Sequence, residues 1–285
     1  MVIQHFFDKD TSTLTYVVYD DKTRDAIIID PVLDFDPASG RVSNESYSLV
    51  LNYLKDHQLN PHYVIETHAH ADHLSSSQVF KKDFPNIKIA ISERIKTVQE
   101  VFGPVFNMKD LKADGSDFDF LISDEKEFFA GSLKIFPIPT PGHTPACTSF
   151  LIEDHLFTGD SLFMPDYGTG RCDFPKGSAK TLFDSIQKIF SLPDSTKIYV
   201  GHDYQPNNRE LKFLTTVGES KKSNIHITAN TSIEDFVNFR EGRDKTLKAP
   251  RLLFPSLQVN IVAGKLPRAE DNGIQYIKLP LKIKI

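Results

Sequence analysis

Three histidines and one aspartate lie within six residues, in the run His-Ala-His-Ala-Asp-His at positions 68–73. Imidazole and carboxylate groups are the usual protein ligands of Zn²⁺ and Fe²⁺. The surface of a helix would not bring all four side chains to one point, whereas a loop at the end of a strand can do so. The run therefore predicts a metal-binding loop whose candidate ligands are His68, His70, Asp72 and His73.

Three further candidate ligands lie later in the chain, each after an apolar segment or in a stiff turn. His143 ends the turn Pro-Thr-Pro-Gly-His, which two prolines restrain. Asp160 and His202 each follow a short β-rich segment. Each residue alone is a weak signal, but their order along the chain makes a strong one together. Because side chains in the loops after strands can meet at one rim of a sheet, we expect them to complete the metal site.

The elements that must position these residues can be predicted from hydrophobic periodicity. Tyr47, Val50, Leu51 and Leu54 fall at i, i+3, i+4 and i+7, the pattern of one helix face. The segment after Asp30-Pro31 is predicted to be a loop. Helices and strands alternate, yet several strands adjoin as hairpins, so the pattern favours a layered α/β (α+β) fold with two sheets. We predict further helices at 75–84 and 182–190, and strands at 14–19, 26–29, 63–65, 88–91, 118–122, 133–137, 148–152, 156–158 and 197–200.

The chain length of 285 residues fits one large α/β domain with an addition. We assign residues 1–210 to a catalytic domain that carries all seven candidate ligands. Residues 211–285 are more polar and less periodic, and we expect them to form a C-terminal extension packed on the same domain. The alternation at 281–285 is typical of an edge strand whose lysines discourage aggregation.

The composition argues against several classes of protein. Lys and Arg number 33 against 38 Asp and Glu, and the net charge of −5 disfavours a nucleic-acid or membrane-surface binder. No apolar run approaches the roughly 20 residues of a membrane span. Two cysteines, Cys147 and Cys172, are too few for a disulfide framework, and residues 1–10 have no basic signal-peptide region. We therefore expect a cytoplasmic protein that binds neither nucleic acid nor membrane.

The seven candidate ligands together resemble the signature of the metallo-β-lactamase-fold hydrolases. The resemblance implies an αββα sandwich with the metal site at one edge of two mixed sheets. In that family His68, His70 and His143 would hold one metal. Asp72, His73 and His202 would hold a second, and Asp160 would bridge the two.

The chain is most similar to the persulfide dioxygenase branch of this superfamily, which includes bacterial β-lactamase-like proteins and is related to glyoxalase II. The run Gly-Arg-Cys-Asp-Phe at 170–174 resembles the Gly-Arg-x-Asp-Phe element of that branch, where glyoxalase II usually has Gly-Arg-Phe-Phe-Glu. Cys172 departs from the threonine that many persulfide dioxygenases have there. Segment 255–260 looks like the bacterial subgroup. The other stretches that carry the resemblance are 28–33, 70–75 and 202–204.

This resemblance implies one Fe(II) per chain on His68, His143 and Asp160, a 2-His-1-carboxylate set suited to O₂ chemistry. The enzyme would oxidise glutathione persulfide with O₂ to sulfite and glutathione. His70, Asp72, His73 and His202 would then orient ligands and bound water through hydrogen bonds.

Four residues are candidates for work on the substrate. Asp72 and Tyr204 are the catalytic candidates, and Tyr204 would hydrogen-bond the substrate unless it only packs. Arg171 would clamp a glutathione carboxylate unless it bonds loop carbonyls. Cys172 would act as a redox thiol or, as the simpler alternative, lie buried and inert. The other histidines are expected to be surface or structural residues: His5, His57, His62, His155 and His226.

Two other functions stay open at this point. The first is a thioester hydrolase of glyoxalase II (hydroxyacylglutathione hydrolase) type, in which two Zn(II) ions share Asp160. The second is a metal- or sulfur-binding partner of a sulfurtransferase, without catalysis of its own. Relatives in this branch are fused to or encoded with rhodanese-like proteins, so the resemblance also implies a rhodanese-like sulfur donor. Homodimers are common in the family, but no patch in the sequence indicates one.

Overall fold

The computed structural model describes residues 1–281. Strands dominate, and in chain order they are β1 (Val2–Asp8), β2 (Thr13–Tyr19), β3 (Asp25–Ile29), β4 (Val32–Asp36), β5 (Arg41–Ser43), β6 (Asn60–Ile65), β7 (Leu74–Ser75), β8 (Lys88–Ser92), β9 (Phe120–Ile122), β10 (Phe128–Ala130), β11 (Leu133–Pro139), β12 (Thr148–Ile152), β13 (His155–Phe157), β14 (Lys197–Tyr199) and β15 (Leu214–Thr216). The helices are α1 (Glu45–Asp56), α2 (Ser77–Asp83), α3 (Ile95–Val105), α4 (Ala179–Phe190), α5 (Val217–Ser223), α6 (Ile233–Asp244) and α7 (Leu253–Asn260).

Most of the strands form two six-stranded mixed sheets. The first has the order β1-β2-β3-β6-β8-β9, and the second runs β10-β11-β12-β13-β14-β15. A third, small sheet has the order β5-β4-β7. In the first sheet β3, β6, β8 and β9 are parallel. The predicted layered α/β fold with two sheets is confirmed.

Strand β2 shows how the sheets become layers. Its successive side chains point to opposite faces because a strand alternates with period two. Leu14 and Tyr16 join the apolar core that also contains Phe150 of the second sheet. Val17 and Tyr19 belong instead to a separate cluster with the α1 side chains. Both faces of the strand are thus buried, one against the opposite sheet and one against a helix, and the strand ends are held rigidly.

The prediction of a loop directly after Asp30-Pro31 is wrong. Asp30 adopts a positive φ of 50°, and the chain then continues as β4, which pairs with β5 and β7. The alternation that marks a strand is weak there because β4 is only partly buried and carries acidic residues. The helix α3 was also not predicted, although Ile95, Val98 and Phe102 form its buried face.

The C-terminal region contacts both layers of the sandwich. Strand β15 pairs with β14 at the edge of the second sheet, and helix α6 packs against α4. Helix α7 packs against β7, directly behind the loop with three histidines. The edge strand predicted at 281–285 falls mostly on residues 282–285, which lie outside the described residues. None of the helices within residues 1–281 is long and apolar enough to cross a membrane.

Candidate metal centre

The seven predicted ligands meet at one rim of the two sheets. The segment 68–73, here called the metal loop, connects β6 of the first sheet to β7. The remaining ligands follow strands β11, β13 and β14 of the second sheet, and they are His143, Asp160 and His202. All are buried except Asp72, whose side chain is about one quarter exposed. The site therefore joins the two sheets at their edge.

His68, His143 and Asp160 form the first ligand group. Asp160 Oδ2 lies 3.9 Å from His68 Nε2 and 3.6 Å from His143 Nε2. One ligand atom from each of the three residues lies within 4.8 Å of the others. Two imidazoles and one carboxylate around a common point are a set suited to Fe(II) that leaves coordination positions open.

His70, Asp72 and His202 form the second ligand group, beside the first. His202 Nε2 lies 3.3 Å from Asp72 Oδ2 and 3.2 Å from Asp160 Oδ1. Asp160 therefore faces both groups, one oxygen towards each. His73 lies next to the second group, with its ring centroid 4.2 Å from that of His70.

Hydrogen bonds at the rear nitrogen fix the orientation of four imidazoles. A carbonyl oxygen can only accept, so an Nδ1 that contacts one must carry a proton, and in the neutral imidazole Nε2 then keeps the lone pair that can bind a metal. For His68 the partner is the Thr67 hydroxyl. Because this hydroxyl already donates to Asp30, it can only accept from His68, so Nδ1 again carries the proton. The Nδ1 contacts are His68 to Thr67 Oγ1 (3.0 Å), His73 to Leu74 O (3.1 Å), His143 to Arg171 O (2.7 Å) and His202 to Ser12 O (3.2 Å).

His70 is held the other way round. Its Nε2 lies 2.9 Å from Asp30 Oδ1 and 3.4 Å from Glu66 Oε2, so Nδ1 is the nitrogen left for a ligand. Asp30 also accepts hydrogen bonds from the Thr67 backbone N–H (2.7 Å) and hydroxyl (2.8 Å). Asp30 thus ties His70 and, through Thr67, His68 to the end of β3. Outer partners of this kind fix ligand orientation.

The protonation states follow from these surroundings. Burial and the neighbouring His70 lower the pKa of His68 well below its usual value and that of His73 to about 4, so both are neutral. Burial alone would lower the pKa of His202, but Asp160 and Asp72 outweigh it and raise the pKa to about 9. Burial opposes ionisation of Asp160 as well, yet His202, His68 and His143 hold its pKa well below the usual range.

The donor set fits a bound metal. Within residues 1–281, six buried ligand atoms have no hydrogen-bond partner outside the ligand set, although buried polar atoms are nearly always paired. A metal ion bound at either ligand group would give the atoms of that group a partner. These atoms are His68 Nε2, His70 Nδ1, Asp72 Oδ2, His73 Nε2, Asp160 Oδ1 and His202 Nε2.

A cavity of about 320 Å³ opens over the ligands and is lined by His143, Asp160 and Asp72. Its wall is aromatic: the Tyr204 ring stacks on His202 and Tyr167, with centroids 5.5 and 4.5 Å away. Another part of the cavity lining is basic and belongs to the C-terminal region. Its exposed cations, here called the rim cations, are Arg243, Lys248 and Arg251.

The three predicted substrate residues are placed differently from one another. Tyr204 lines the cavity beside the ligands. Arg171 also lines it, but its guanidinium is bound by both oxygens of Asp173 (2.5 and 2.6 Å) and donates to Lys248 O (2.7 Å). Cys172 is buried in the core, and burial raises its pKa. A raised pKa disfavours the thiolate that a reactive cysteine needs.

Sequence reasoning missed the network that braces residues 169–172, here called the cavity loop because it lines the cavity. Arg240, which is 1% exposed, is bound through Nε (3.0 Å) and Nη2 (2.8 Å) to Asp244 Oδ1. Arg240 also donates to Thr169 O, and Asp244 accepts from the Cys172 backbone N–H (2.8 Å). His226, expected to be a surface or structural residue, accepts the Thr169 N–H and lines the cavity. A single buried pair at i, i+4 is a common helix pattern, so no sequence signal distinguished it.

Two glycines allow the strand ends to approach. A Cβ on Gly159 would collide with Thr67, the residue before the metal loop, and one on Gly170 would collide with the Asp160 carbonyl. Gly159 also has a positive φ of 49°. The absence of side chains here brings the carboxylate of Asp160 within reach of the histidines.

The chain belongs to the metallo-beta-lactamase superfamily, whose family profile matches residues 8–202. The resemblance and the fold predicted from the sequence are thereby confirmed. Glyoxylase B2 of Dictyostelium discoideum is 47% identical over 98% of this chain and 96% of its own. Mitochondrial persulfide dioxygenase ETHE1 of Homo sapiens is 32% identical over 83% of this chain and 79% of its own. The crystal structure of ETHE1 from Myxococcus xanthus aligns with a TM-score of 0.75 at 30% identity, over 93% of this chain and 100% of that one.

Proposed function

We propose that this chain is an iron-dependent enzyme that oxidises a glutathione-like persulfide with O₂. The observation that carries the proposal is the first ligand group, in which two histidines and one carboxylate meet at one side of the cavity. His70, the third histidine expected for a zinc site there, is held from behind by two buried carboxylates. Relatives named persulfide dioxygenase align over most of the chain and support the same conclusion.

The overall reaction would convert RSSH, O₂ and H₂O to RSH and H₂SO₃. Fe(II), held by His68, His143 and Asp160, would supply open coordination positions and one-electron chemistry. The protein would contribute orientation and exclusion of water. The aromatic wall, built from Phe163, Tyr167 and Tyr204, covers the ligands on the cavity side. Tyr204 would donate a hydrogen bond to the bound substrate, and stacking on the His202 ring holds its own ring in place.

The rim cations provide the second argument, because they select the substrate class. Glutathione carries two carboxylates, and Arg and Lys side chains form charge-assisted hydrogen bonds with such groups. Among the described residues none of the three rim cations has a carboxylate partner within ion-pair distance. Arg171, by contrast, is already satisfied by Asp173. We therefore assign carboxylate recognition to the rim cations, with Arg171 shaping the loop.

Replacing Arg243 or Arg251 by alanine should raise KM for glutathione persulfide and leave kcat unchanged. Each variant loses one exposed charged contact with a substrate carboxylate, and this loss corresponds to a rise of about 3- to 10-fold in KM. Steady-state oxygen uptake measures both constants. Cysteamine persulfide, which lacks carboxylates, is the matched substrate, and its KM should stay within twofold. Equal shifts for both substrates would contradict carboxylate recognition.

Oxygen consumption tests the function directly. The chain is loaded anaerobically with Fe(II), mixed with glutathione persulfide, and followed in an oxygen-electrode cell with a parallel sulfite assay. We expect one O₂ consumed and one sulfite formed per persulfide. His68→Ala should lose the activity, while His57→Ala, an exposed histidine outside the site, should retain it. An iron-loaded chain that consumes no oxygen would reject the proposal.

A thioester hydrolase with two Zn(II) is the second candidate, and one observation favours it. The second ligand group is complete, and His73 Nε2 beside it has no hydrogen-bond partner within residues 1–281. A relative named Glyoxylase B2 is 47% identical. The discriminating experiment loads the chain with Zn(II) and adds S-lactoylglutathione. Thioester hydrolysis by the zinc form, together with no oxygen uptake by the iron form, would establish this alternative.

A further inference from the structure

The metal loop is held from outside the catalytic sandwich by one side chain of the C-terminal region. Asn260, the last residue of α7, donates from Nδ2 to the carbonyl oxygens of His70 (2.9 Å) and His73 (2.7 Å). Its Oδ1 accepts from the backbone N–H of Ser75 at 2.9 Å. Three hydrogen bonds therefore join one side chain to the backbone of the metal loop and the start of β7.

The chemistry of these contacts leaves one orientation for the amide. Two carbonyl oxygens require donors, so the nitrogen must face His70 and His73, and the Ser75 N–H requires the oxygen. Asn260 is 4% exposed, so water does not compete for these bonds. An aspartate of the same shape has no donor for the two carbonyls. Only the amide satisfies both sides.

We propose that Asn260 is a positioning residue that fixes the backbone of the metal loop at His70 and His73, and thereby holds the free His70 Nδ1 and His73 Nε2 ready for metal binding. The first part of the loop is held independently, because Asp30 binds Thr67 at the end of β6. The second part bends back between His70 and His73, and its carbonyls find their donors on Asn260. This role concerns metal binding, and it holds whichever reaction the site performs.

Gln99 provides a matched comparison. It is equally buried, donates from Nε2 to Ile261 O (2.8 Å), and accepts from the Gly115 N–H (3.0 Å). Gln99 therefore anchors the same end of α7, one residue further along, to α3 without contacting the metal loop. A variant at Gln99 loosens the docking of α7, whereas a variant at Asn260 additionally releases the loop.

The experiment compares Asn260→Ala, Asn260→Asp and Gln99→Ala as full-length metal-free proteins. Co(II) affinity is measured by calorimetry, and backbone hydrogen exchange of the peptide spanning residues 68–76 is measured by mass spectrometry. Loss of an outer partner of metal ligands lowers affinity about 10- to 100-fold, and we expect this range for both Asn260 variants. We also expect faster exchange in the metal loop. Gln99→Ala should keep its Co(II) affinity within threefold.

Two results would overturn the proposal. Unchanged Co(II) affinity in the Asn260 variants would show that the loop needs no support from α7. An equal loss in Gln99→Ala would show that general docking of α7, and not the amide of Asn260, is responsible. Asn260→Asp keeps the side-chain shape, so the comparison remains available if the cavity left by alanine prevents folding.

Discussion

Replacing Asp160 by alanine is expected to lower the affinity for Fe(II) by more than ~100-fold, beyond the usual effect of losing an outer partner. Asp160 is the carboxylate that faces both ligand groups, 3.6 Å from His143 and 3.2 Å from His202. Its removal leaves the first ligand group with two imidazoles and no negative charge. Iron content after anaerobic loading and desalting measures the effect, and oxygen uptake should fall with it.

The control for this variant is Asp184→Ala, which removes an exposed carboxylate on α4 that belongs to neither ligand group. Iron content should be unchanged there. An Asp160→Ala protein that keeps stoichiometric iron would contradict the assignment of Asp160 as a ligand. If the variant keeps its iron but loses activity, Asp160 would instead act on the substrate.

Replacing Asp244 by alanine should lower the free energy of unfolding by about 3–5 kcal/mol, the range for breaking a buried ion pair. The guanidinium of Arg240 would lose its carboxylate, and the backbone N–H of Cys172 would lose its acceptor. Chemical denaturation measures the change from the midpoint and slope. Because the pair braces the loop over the cavity, the loop should also become accessible to protease.

A double variant separates the charge from the packing. Arg240→Met with Asp244→Leu removes both charges and keeps apolar volume, and it should be more stable than Asp244→Ala alone. Glu241→Ala, an exposed position on the same helix, should change the free energy of unfolding by less than about 0.5 kcal/mol. Equal destabilisation by the single and double variants would show that shape, and not an unpaired charge, determines the effect.

The clustering of the candidate ligands could be predicted from the sequence because their signal is local. Few side chains bind metals, and four of them fall within the six residues of the metal loop. His143 and His202 each follow an apolar strand segment, so their place at a sheet rim follows from the strand prediction. The structure brings these residues together at one rim of the two sheets. Their chemistry and their order were sufficient to predict this clustering, without any knowledge of the contacts between distant parts of the chain.

The supporting residues could not be predicted because their roles depend on distant partners. Asp30 and Glu66 have no distinctive spacing, and the contact of Asn260 with His70 spans 190 residues. Helix α6 lacked an apolar stripe for a physical reason. Its buried positions include Arg240 and Asp244, so charge pairing replaces the periodicity that marks a helix.

The three hydrogen bonds of Asn260 couple the conformation of the metal loop to the docking of α7. Coupling between two events is reciprocal. If the docking of α7 increases metal affinity, a bound metal therefore stabilises the docking of α7 by the same free energy. Metal binding should therefore raise the free energy of local unfolding of residues 253–260, although these residues lie far from the metal loop in the sequence. The local stability of α7 should therefore report whether a metal is bound at the site.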